Sequence, residues 1–425
     1  MKAFIHTLII LGLLASSCTS TPLPRGGAGD PVRVPEDFFG MVHAGSRQTD
    51  EEYQILHEMG VRWILDTFYW DRIENADGVF NFSHYDGFVD AALAEGFEVI
   101  AILAYDTSFL ESKRKSRPYI AREEIPLFLN YVEETVRHFQ DRVSVWGIWN
   151  EPNFMFWGGT NREFYELSRR TAEKIRETHS EAYILGGGFW RSPGFFIRGM
   201  ARAGGMEHLD GLAFHPYAIN PQGSMRVHDR FLRTLSSIGF SGSVWITEVG
   251  YPTGGWYPTR VSLEDYSSYV VKTISGAAAR GARALLWYEL FDHHNLGEPI
   301  ENPRDSEQFF GLLYPDYSRK DAAWAYELCA RLLPGTYYME DFIMREVGPD
   351  IVSLCFSDGE GSHTLILWND RPYTQNLSLD LVGPALVYDI NTGQSRPLPP
   401  VFEVGPKPLI ITWEGSSPPR LYRVR

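Results

Sequence analysis

The feature that most constrains the fold of this chain is a regular alternation, between residues 34 and 334, of short apolar runs with longer amphipathic segments. Eight apolar runs occur, at 38–42, 61–65, 97–103, 143–149, 182–185, 209–214, 244–247 and 284–287. Their length and their content of β-branched and aromatic residues are typical of buried strands. Strands that alternate with helices require a parallel sheet, because each helix carries the chain back to the edge where the next strand begins.

Two of the intervening segments have a clear helical period, with apolar residues three and four positions apart on one face. They are Phe128, Tyr131, Val132, Thr135, Val136 and Phe139 in one segment, and Tyr266, Tyr269, Val270, Thr273, Ile274 and Ala277 in the other. Eight strand–helix units in roughly 300 residues are typical of a (β/α)8 TIM barrel. A doubly wound open sheet is the structural alternative.

The pattern changes after the last predicted helix, 319–333, which Pro334 and Gly335 close. Strand-like runs then follow without any helical period, separated by Gly, Pro, Asn and Asp, at 351–356, 364–368, 376–381, 385–389 and 409–413. This pattern predicts a small antiparallel β-sandwich over 335–425, after a barrel over 34–334. It would either stabilise the barrel or bind carbohydrate.

The first residues have the pattern of an export signal, with Lys2, an apolar run at 5–14, small residues at 15–17 and then Cys18. The run is too short to span a bilayer. Such a leader over 1–18 resembles a bacterial lipoprotein signal, in which Cys18 is lipidated, although Ala15 stands where Leu is usual and ordinary cleavage near Ser17 stays open. We therefore expect a membrane-anchored protein of a bacterial cell envelope, or else a periplasmic or secreted one, with a flexible tether over 19–33.

The charge of the chain limits its partners. A formal net charge of −15 disfavours nucleic acid and other polyanions, which need a surplus of Lys and Arg, whereas neutral or basic sugars are compatible with it. Aromatic residues make up 14% of the chain, and part of them would suit stacking on sugar faces. Beyond Cys18, only Cys329 and Cys355 remain, and neither has the spacing of a metal site.

Two strand-like runs end in a glutamate. The fourth ends in Asn150-Glu151-Pro152, where the proline cannot continue a strand ladder, and the seventh ends in Thr247-Glu248. Working residues of a TIM barrel lie at the carboxyl ends of its strands, so the two glutamates are expected to face each other across the barrel mouth. A pair of carboxyl groups about 5 to 5.5 Å apart, one protonated and one ionised, suits glycoside hydrolysis by double displacement.

Other polar and aromatic residues at or near strand ends are weaker candidates. The strand ends contribute His43, Arg62 with Asp66, Tyr105, His215 with Tyr217, and Trp287. Candidate sugar platforms in the loops are Trp157, Trp190, Trp256 and Tyr257. The adjacent Glu289, Asp292, His293 and His294 suggest a metal, but their spacing on a loop favours solvent or sugar contacts. We predict neither a metal nor a cofactor.

These motifs carry a resemblance to a known family. The chain contains Trp-x-x-Trp-Asn-Glu-Pro at 146–152, His-Pro-Tyr at 215–217, Trp-x-Thr-Glu-x-Gly at 245–250 and Trp287. This set of motifs resembles that of retaining glycoside hydrolases of clan A, most of all family 39, which includes β-xylosidases, iduronidases and exopolysaccharide endoglycosidases. The resemblance implies Glu151 as general acid/base and Glu248 as nucleophile. It also implies that Asn150 bonds the sugar 2-hydroxyl, that His215 and Tyr217 orient Glu248, and that Trp287 floors the first sugar subsite.

Two alternatives stay open at the level of sequence. The chain could be a catalytically inactive barrel that binds polysaccharide at the cell surface. It could also belong to another clan A family, such as a family 5 glucanase or a family 51 arabinofuranosidase. The sugar, its linkage, exo or endo cleavage and the oligomeric state are not predicted.

Overall fold

The computed structural model describes residues 31–76, 78–113, 116–256, 260–293, 302–340, 347–381, 383–415 and 420–424. Cys18 and the predicted export signal lie outside these residues. The first strand, β1 (Val32–Arg33), belongs to a C-terminal sheet. Eight further strands form the barrel: β2 (Phe39–Val42), β3 (Trp63–Tyr69), β4 (Glu98–Ala104), β5 (Val145–Ile148), β6 (Tyr183–Trp190), β7 (Gly211–His215), β8 (Ser243–Val249) and β9 (Ala284–Trp287).

The barrel is closed because its last strand pairs with its first. Phe39 lies opposite Leu285 and Met41 opposite Trp287 in a parallel ladder between β2 and β9. The other barrel pairs are also parallel, and each joins consecutive strands. The predicted TIM barrel is therefore confirmed, and the open doubly wound sheet is excluded.

Helices surround the barrel and bury their apolar faces against it. Their bounds are α1 (Asp50–Glu58), α2 (Trp70–Ile73), α3 (Ser83–Ala94), α4 (Ile125–Phe139), α5 (Asn161–Thr178), α6 (Gly194–Arg202), α7 (Pro221–Ser237), α8 (Leu263–Ala278) and α9 (Asp321–Leu332). The predicted face of α4 is buried throughout, and that of α8 is buried except at Tyr269, which is half-buried. Side chains of Thr160, Asn220 and Ser262 cap α5, α7 and α8, since each accepts a bond from an otherwise free backbone N–H.

The C-terminal region consists of two antiparallel sheets, as the sequence predicted. Its further strands are β10 (Tyr337–Tyr338), β11 (Ile351–Ser357), β12 (Ser362–Asn369), β13 (Gln375–Asp380), β14 (Ala385–Tyr388), β15 (Ser395–Pro397), β16 (Phe402–Val404), β17 (Leu409–Glu414) and β18 (Arg420–Arg423). The larger sheet has the order β1-β10-β11-β12-β17-β14-β15, and the smaller one β16-β13-β18. β1 lies within the range predicted as a tether, which is wrong at this end because Val32 and Arg33 pair with Tyr338 and Tyr337.

The C-terminal sheets are attached to the outer helices of the barrel. Lys272 on α8 donates to the carbonyl of Pro406 at 2.6 Å, and Gln222 on α7 donates to Asp370 at 3.1 Å. Phe356 and Trp368 of the larger sheet are buried in the same apolar core as the barrel helices. These contacts attach the two sheets to the outer helices of the barrel. The mouth is therefore formed by the loops of the barrel itself.

Two further observations concern the cysteines and the membrane. Cys329 and Cys355 are buried free thiols, and burial raises the pKa of both. Within the described part of the chain, no helix is both long enough and apolar enough to cross a bilayer.

Candidate active site

The backbone after β5 turns sharply and directs Glu151 into the barrel mouth. β5 is fully buried, and Trp149 and Glu151 both have positive φ angles, 65° and 45°. The amide of Glu151 donates to the carbonyl of Gly188 at 2.9 Å, which ties the turn to β6. Left-handed backbone at residues other than glycine costs free energy and is concentrated at functional sites.

Gly188 allows β6 to pass directly beneath this turn. Its φ is +54°, and a Cβ there would lie 3.3 Å from Asn150 Oδ1 and 3.5 Å from His215 Nε2. A larger residue would therefore be strained and would crowd two side chains of the site.

Glu248 reaches the mouth from β8 on the other side of the barrel. The hydroxyl of Tyr217 donates to Glu248 Oε1 at 2.6 Å, a short bond typical of an ionised acceptor. The side chain of Glu248 is 20% exposed, whereas that of Glu151 is 8% exposed. The two carboxyl groups thus have different surroundings.

His215 lies between the two carboxyl groups. Its Nδ1 is 2.8 Å from Glu151 Oε1 and 3.7 Å from Glu248 Oε2, while its Nε2 forms a 3.2 Å hydrogen bond with Thr247 Oγ1. One oxygen of each glutamate and one nitrogen of His215 all lie within 4.8 Å of one another. The carboxyl groups therefore converge on the same small volume.

Burial dominates the electrostatics of the pair. It raises the pKa of Glu151 to about 8. Burial also raises the pKa of Glu248, and the carboxyl group of Glu151 adds to that rise, whereas a proton on His215 and the hydrogen bond from Tyr217 would oppose it. The pKa of His215 itself is lowered by burial. Near neutral pH, Glu151 therefore holds its proton, and Glu248 is the member of the pair whose ionised form its neighbours stabilise.

The same three side chains are close enough for one metal ion, but their chemistry fits a hydrogen-bond network better. Glu151 Oε1 is already bonded to His215, and Tyr217 occupies an oxygen of Glu248. A carboxyl group that stays protonated near pH 7 is a weak metal ligand, since metal ions bind the deprotonated form.

The predicted neighbours Asn150 and Tyr105 meet at the mouth. Their side chains form a hydrogen bond. The half-buried ring of Tyr105 stacks on Phe156 at 5.7 Å. His215 and Tyr217 were both predicted to orient Glu248, but only Tyr217 bonds to it directly, and the short bond of His215 goes to Glu151.

Three predicted substrate-binding residues lie elsewhere. Arg62 precedes β3, at the end of the barrel opposite the mouth, because that strand runs on to Tyr69, four residues past its predicted end. Trp157 is 3% exposed and donates to the carbonyl of Thr160. Trp287 is fully buried and donates to Tyr266 of α8. These three predictions are wrong: Arg62 is at the wrong end, and both indoles pack inside the protein.

The remaining candidates divide into structural and unassigned residues. Asp292 forms a buried 2.8 Å ion pair with Lys320, with both side chains 1% exposed, and is therefore structural. Buried Glu289 bonds His293 at 2.8 Å. Trp190 and Trp256 are half-buried. Tyr257 and His294 lie outside the described residues.

The sequence reasoning missed Tyr288 and Glu307. The hydroxyl of Tyr288 donates to Glu307 at 3.1 Å, its ring lies 6.0 Å from that of His43, and the charge of Glu248 contributes to its raised pKa, which burial dominates. Side chains alternate between the two faces of a strand, so the packing of Trp287 outwards against α8 turns Tyr288 towards the mouth. This alternation is the feature of the sequence that could have identified Tyr288.

Comparisons with known proteins agree with this architecture. A family 39 glycoside hydrolase from the gut symbiont Bacteroides cellulosilyticus WH2 is similar in structure, with a TM-score of 0.73 and 20% identity over 90% of this chain and 81% of that one. A monomeric β-xylosidase from Caulobacter crescentus CB15 gives a TM-score of 0.64 and 14% identity over 92% and 98%. The fold is therefore that of family 39 glycoside hydrolases, as the resemblance implied.

The sequence comparisons reach less of the chain. A segment of 110 residues is 32% identical to β-glucosidase 6 of Oryza sativa subsp. japonica, and it covers 24% of this chain and 21% of that protein. The match thus spans about a fifth of the length of that relative. No protein-family model matches the sequence.

Proposed function

We propose that the protein is a retaining glycoside hydrolase that cleaves β-glycosidic bonds of an oligo- or polysaccharide by double displacement. The observation that carries the proposal is the convergence of Glu151 and Glu248, with oxygens within 4.8 Å and unequal surroundings. Retaining enzymes need carboxyl groups about 5 to 5.5 Å apart, whereas inverting enzymes need a wider gap for a water molecule. The similarity in fold to glycoside hydrolases supports the same class of reaction.

In the first step, Glu248 attacks the anomeric carbon. The glycosidic C–O bond breaks as the new ester bond forms, and the proton of Glu151 passes to the leaving oxygen. The hydrogen bond from Tyr217 holds the carboxylate of Glu248 in a fixed orientation before attack. The product of this step is a glycosyl ester on Glu248 and a free alcohol.

In the second step, the ionised Glu151 takes a proton from water. The water oxygen bonds to the anomeric carbon and the ester bond breaks, which returns Glu248 to its anionic form and gives the sugar with its original anomeric configuration. His215 bonds to Glu151 at 2.8 Å and stays neutral because of burial, so it can orient Glu151 in both of its protonation states.

The test uses chemical rescue of two variants with 4-nitrophenyl β-xyloside and β-glucoside. Glu248→Gly should lose activity and, with azide, form an α-glycosyl azide of inverted configuration. Glu151→Gly should keep the first step on this good leaving group and, with azide, form a β-glycosyl azide. The two opposite configurations assign the nucleophile and the acid/base separately.

Three outcomes would contradict the proposal. Wild-type hydrolysis that inverts the anomeric configuration, followed by NMR, would exclude double displacement. Binding without hydrolysis over a broad glycan panel would favour the inactive polysaccharide-binding barrel. Loss of wild-type activity with EDTA, restored by a divalent ion, would favour a metal at Glu151, His215 and Glu248.

A further inference from the structure

Six exposed arginines lie on the loop after β6, at the barrel mouth, and along α6 and α7, which run from the mouth towards the other end of the barrel. They are Arg191, Arg198, Arg202, Arg226, Arg230 and Arg233, and all are exposed. None of the ion pairs between described residues includes them. In a chain with a net charge of −15, this is a local reversal of the overall sign.

The acidic residues of this region are bound elsewhere or distant. Asp229 pairs with Arg280 at 2.6 Å, and Asp210 pairs with Arg176 at 2.6 Å. Glu207 follows the far end of α6, where it lies near Gly204. The positive charge near the mouth is therefore not neutralised by these acids.

Arg191 and Arg230 stand where this positive surface meets the site. The amide of Arg191 donates to the carbonyl of His215 at 2.9 Å, so its backbone is fixed to the catalytic pair. The pKa of Arg191 is lowered by partial burial and then by the positive charge of Arg230. The loop of Arg191 also packs on the helical turn of Arg230, since a Cβ at Gly194 would lie 3.2 Å from Thr234 Oγ1, which donates to the carbonyl of Arg230 at 3.0 Å. An anion bound between the two guanidinium groups would offset their mutual repulsion.

An aromatic pair adjoins these arginines on the same side. Trp190 and Phe154 stack with ring centroids 4.2 Å apart and an interplanar angle of 12°. Asn153 connects the two loops, since it accepts from the amide of Trp190 and donates to its carbonyl. The guanidinium of Arg191 lies 5.5 Å from the Trp190 ring. The aromatic pair and Arg191 thus form one edge next to Glu151, whose carbonyl accepts a 3.0 Å bond from the amide of Phe154.

The proposed reaction determines which part of the substrate lies at this edge. The nucleophile attacks the face of the anomeric carbon opposite the bond that breaks, so the leaving group lies away from Glu248 and next to the proton donor Glu151. The loops after β5 and β6 are on that side. We name it the leaving-group side, and we name the side of β8, β9, β2 and β3 the nucleophile side.

We propose that the leaving-group side is a subsite for a sugar that carries a carboxylate, held by Arg191 and Arg230 beside the Trp190–Phe154 pair. The assignment of this side to the leaving group rests on the proposed function, whereas the preference for a negatively charged ligand does not. Arginine suits a carboxylate because its planar fork can donate two parallel hydrogen bonds. The expected substrate is a glycan in which the bond to be cleaved joins a sugar to a uronic acid.

The kinetic test compares two leaving groups that differ in charge alone. The probes are the 4-(carboxymethyl)phenyl and 4-(carbamoylmethyl)phenyl β-xylosides and β-glucosides, whose methylene group keeps the phenols similar in acidity. Wild type should have a kcat/KM about fivefold higher for the carboxylate, the upper range for exposed ion pairs. This ratio should fall to about one in the Arg191→Gln/Arg230→Gln variant and at high salt.

Arg62→Gln is the matched control, because Arg62 is exposed at the opposite end of the barrel. It should keep the fivefold ratio. A wild-type ratio near one, or an equal loss of ratio in the Arg62 variant, would overturn the proposal.

A binding test separates this inference from the proposed function. Affinity electrophoresis of the full chain in gels with polygalacturonate, dextran or dextran sulfate needs no hydrolysis. Polygalacturonate should retard wild type and the Arg62→Gln variant, but not the double variant. If no aryl glycoside is hydrolysed and this retardation holds, the proposed function fails while the carboxylate site stands. Retardation by dextran sulfate alone, or by none of the three polysaccharides, would overturn the proposed carboxylate site.

Discussion

The two sides of the barrel mouth differ in charge. The nucleophile side carries Glu248, Glu289 and Asp66, with His43 3.6 Å from Asp66. The leaving-group side carries Arg191 and Arg230 without a described acidic partner. A substrate that spans the mouth therefore meets carboxylates at one end and guanidinium groups at the other. The difference indicates a sugar without negative charge on the nucleophile side and an acidic sugar across the bond to be cleaved.

The two carboxyl groups at the mouth, Glu151 and Glu248, also differ in their surroundings. Glu248 receives a hydroxyl donor from Tyr217, whereas Glu151 lies in a more buried position and is bonded by the imidazole of His215. One group is thus stabilised as an anion and the other as an acid. Each prediction below changes one of these differences, from the largest expected effect to the smallest.

Removal of His215 should have the largest effect, because this side chain contacts both carboxyl groups. We expect His215→Ala to lower kcat/KM for 4-nitrophenyl glycosides about a thousandfold, within the usual range for acid–base machinery. Circular dichroism and thermal melting would show whether the fold is kept. The more conservative His215→Gln should recover part of the activity, and full activity in either variant would contradict the bridging role.

Glu151→Gln should stabilise the folded protein near neutral pH. The pKa of Glu151 is raised from 4.5 to about 8 by burial, so the folded state holds a proton that the unfolded state releases. The stabilisation that this proton contributes to wild type is thus complete below pH 4.5 and is lost as the pH rises to about 8. The uncharged amide avoids this loss, with an upper limit of about 3 kcal/mol at pH 7.

Urea unfolding at several pH values checks this prediction. The stability gain of Glu151→Gln should be close to zero at pH 4.5 and should increase up to about pH 8. Glu123→Gln, at an exposed position, is the control and should show no such trend. A gain that does not depend on pH would show that packing of the amide, and not titration, is responsible.

Tyr217→Phe should weaken the nucleophile side alone. Loss of the 2.6 Å bond removes a donor that stabilises the anion of Glu248. We expect kcat to fall about tenfold, which corresponds to one hydrogen bond to a charged group. The pKa of Glu248 should rise, so the acidic limb of the pH–rate profile should move to higher pH. Tyr183→Phe, on the opposite end of β6, should change neither; an unshifted limb in Tyr217→Phe would contradict this role.

Periodicity and the composition of strand ends were sufficient to predict the barrel and the position of the two glutamates. The eight apolar runs match the eight barrel strands, because burial on both faces leaves little freedom in what a parallel strand contains. Glu151 and Glu248 stood out since each follows such a run directly. Their catalytic roles stay predictions.

The errors share a physical cause, since sequence does not tell where a buried strand ends or which way its last side chains point. β3 continues through Asp66 to Tyr69, which places Arg62 at the bottom of the barrel. Trp287 and Tyr288 are both aromatic, and only the packing of α8 decides which one faces the mouth. The arginine surface was hidden by the net charge, because a sum over the chain does not report how charge is distributed over a surface.

The smallest effect is expected from Glu307→Gln, which sharpens the charge difference between the two sides. Burial raises the pKa of Glu307 to about 7, so this carboxyl group is mostly neutral at pH 6 and mostly ionised at pH 8. A sugar mimic with a permanent positive charge, such as the quaternary N,N-dimethyl derivative of 1-deoxynojirimycin, should therefore bind wild type about twofold more tightly than the variant at pH 8 and equally at pH 6. Inhibition constants measured at both pH values, with neutral xylose as the control, check this. A twofold difference that persists at pH 6 would indicate a lost hydrogen bond, and charge on the nucleophile side would then not select the sugar.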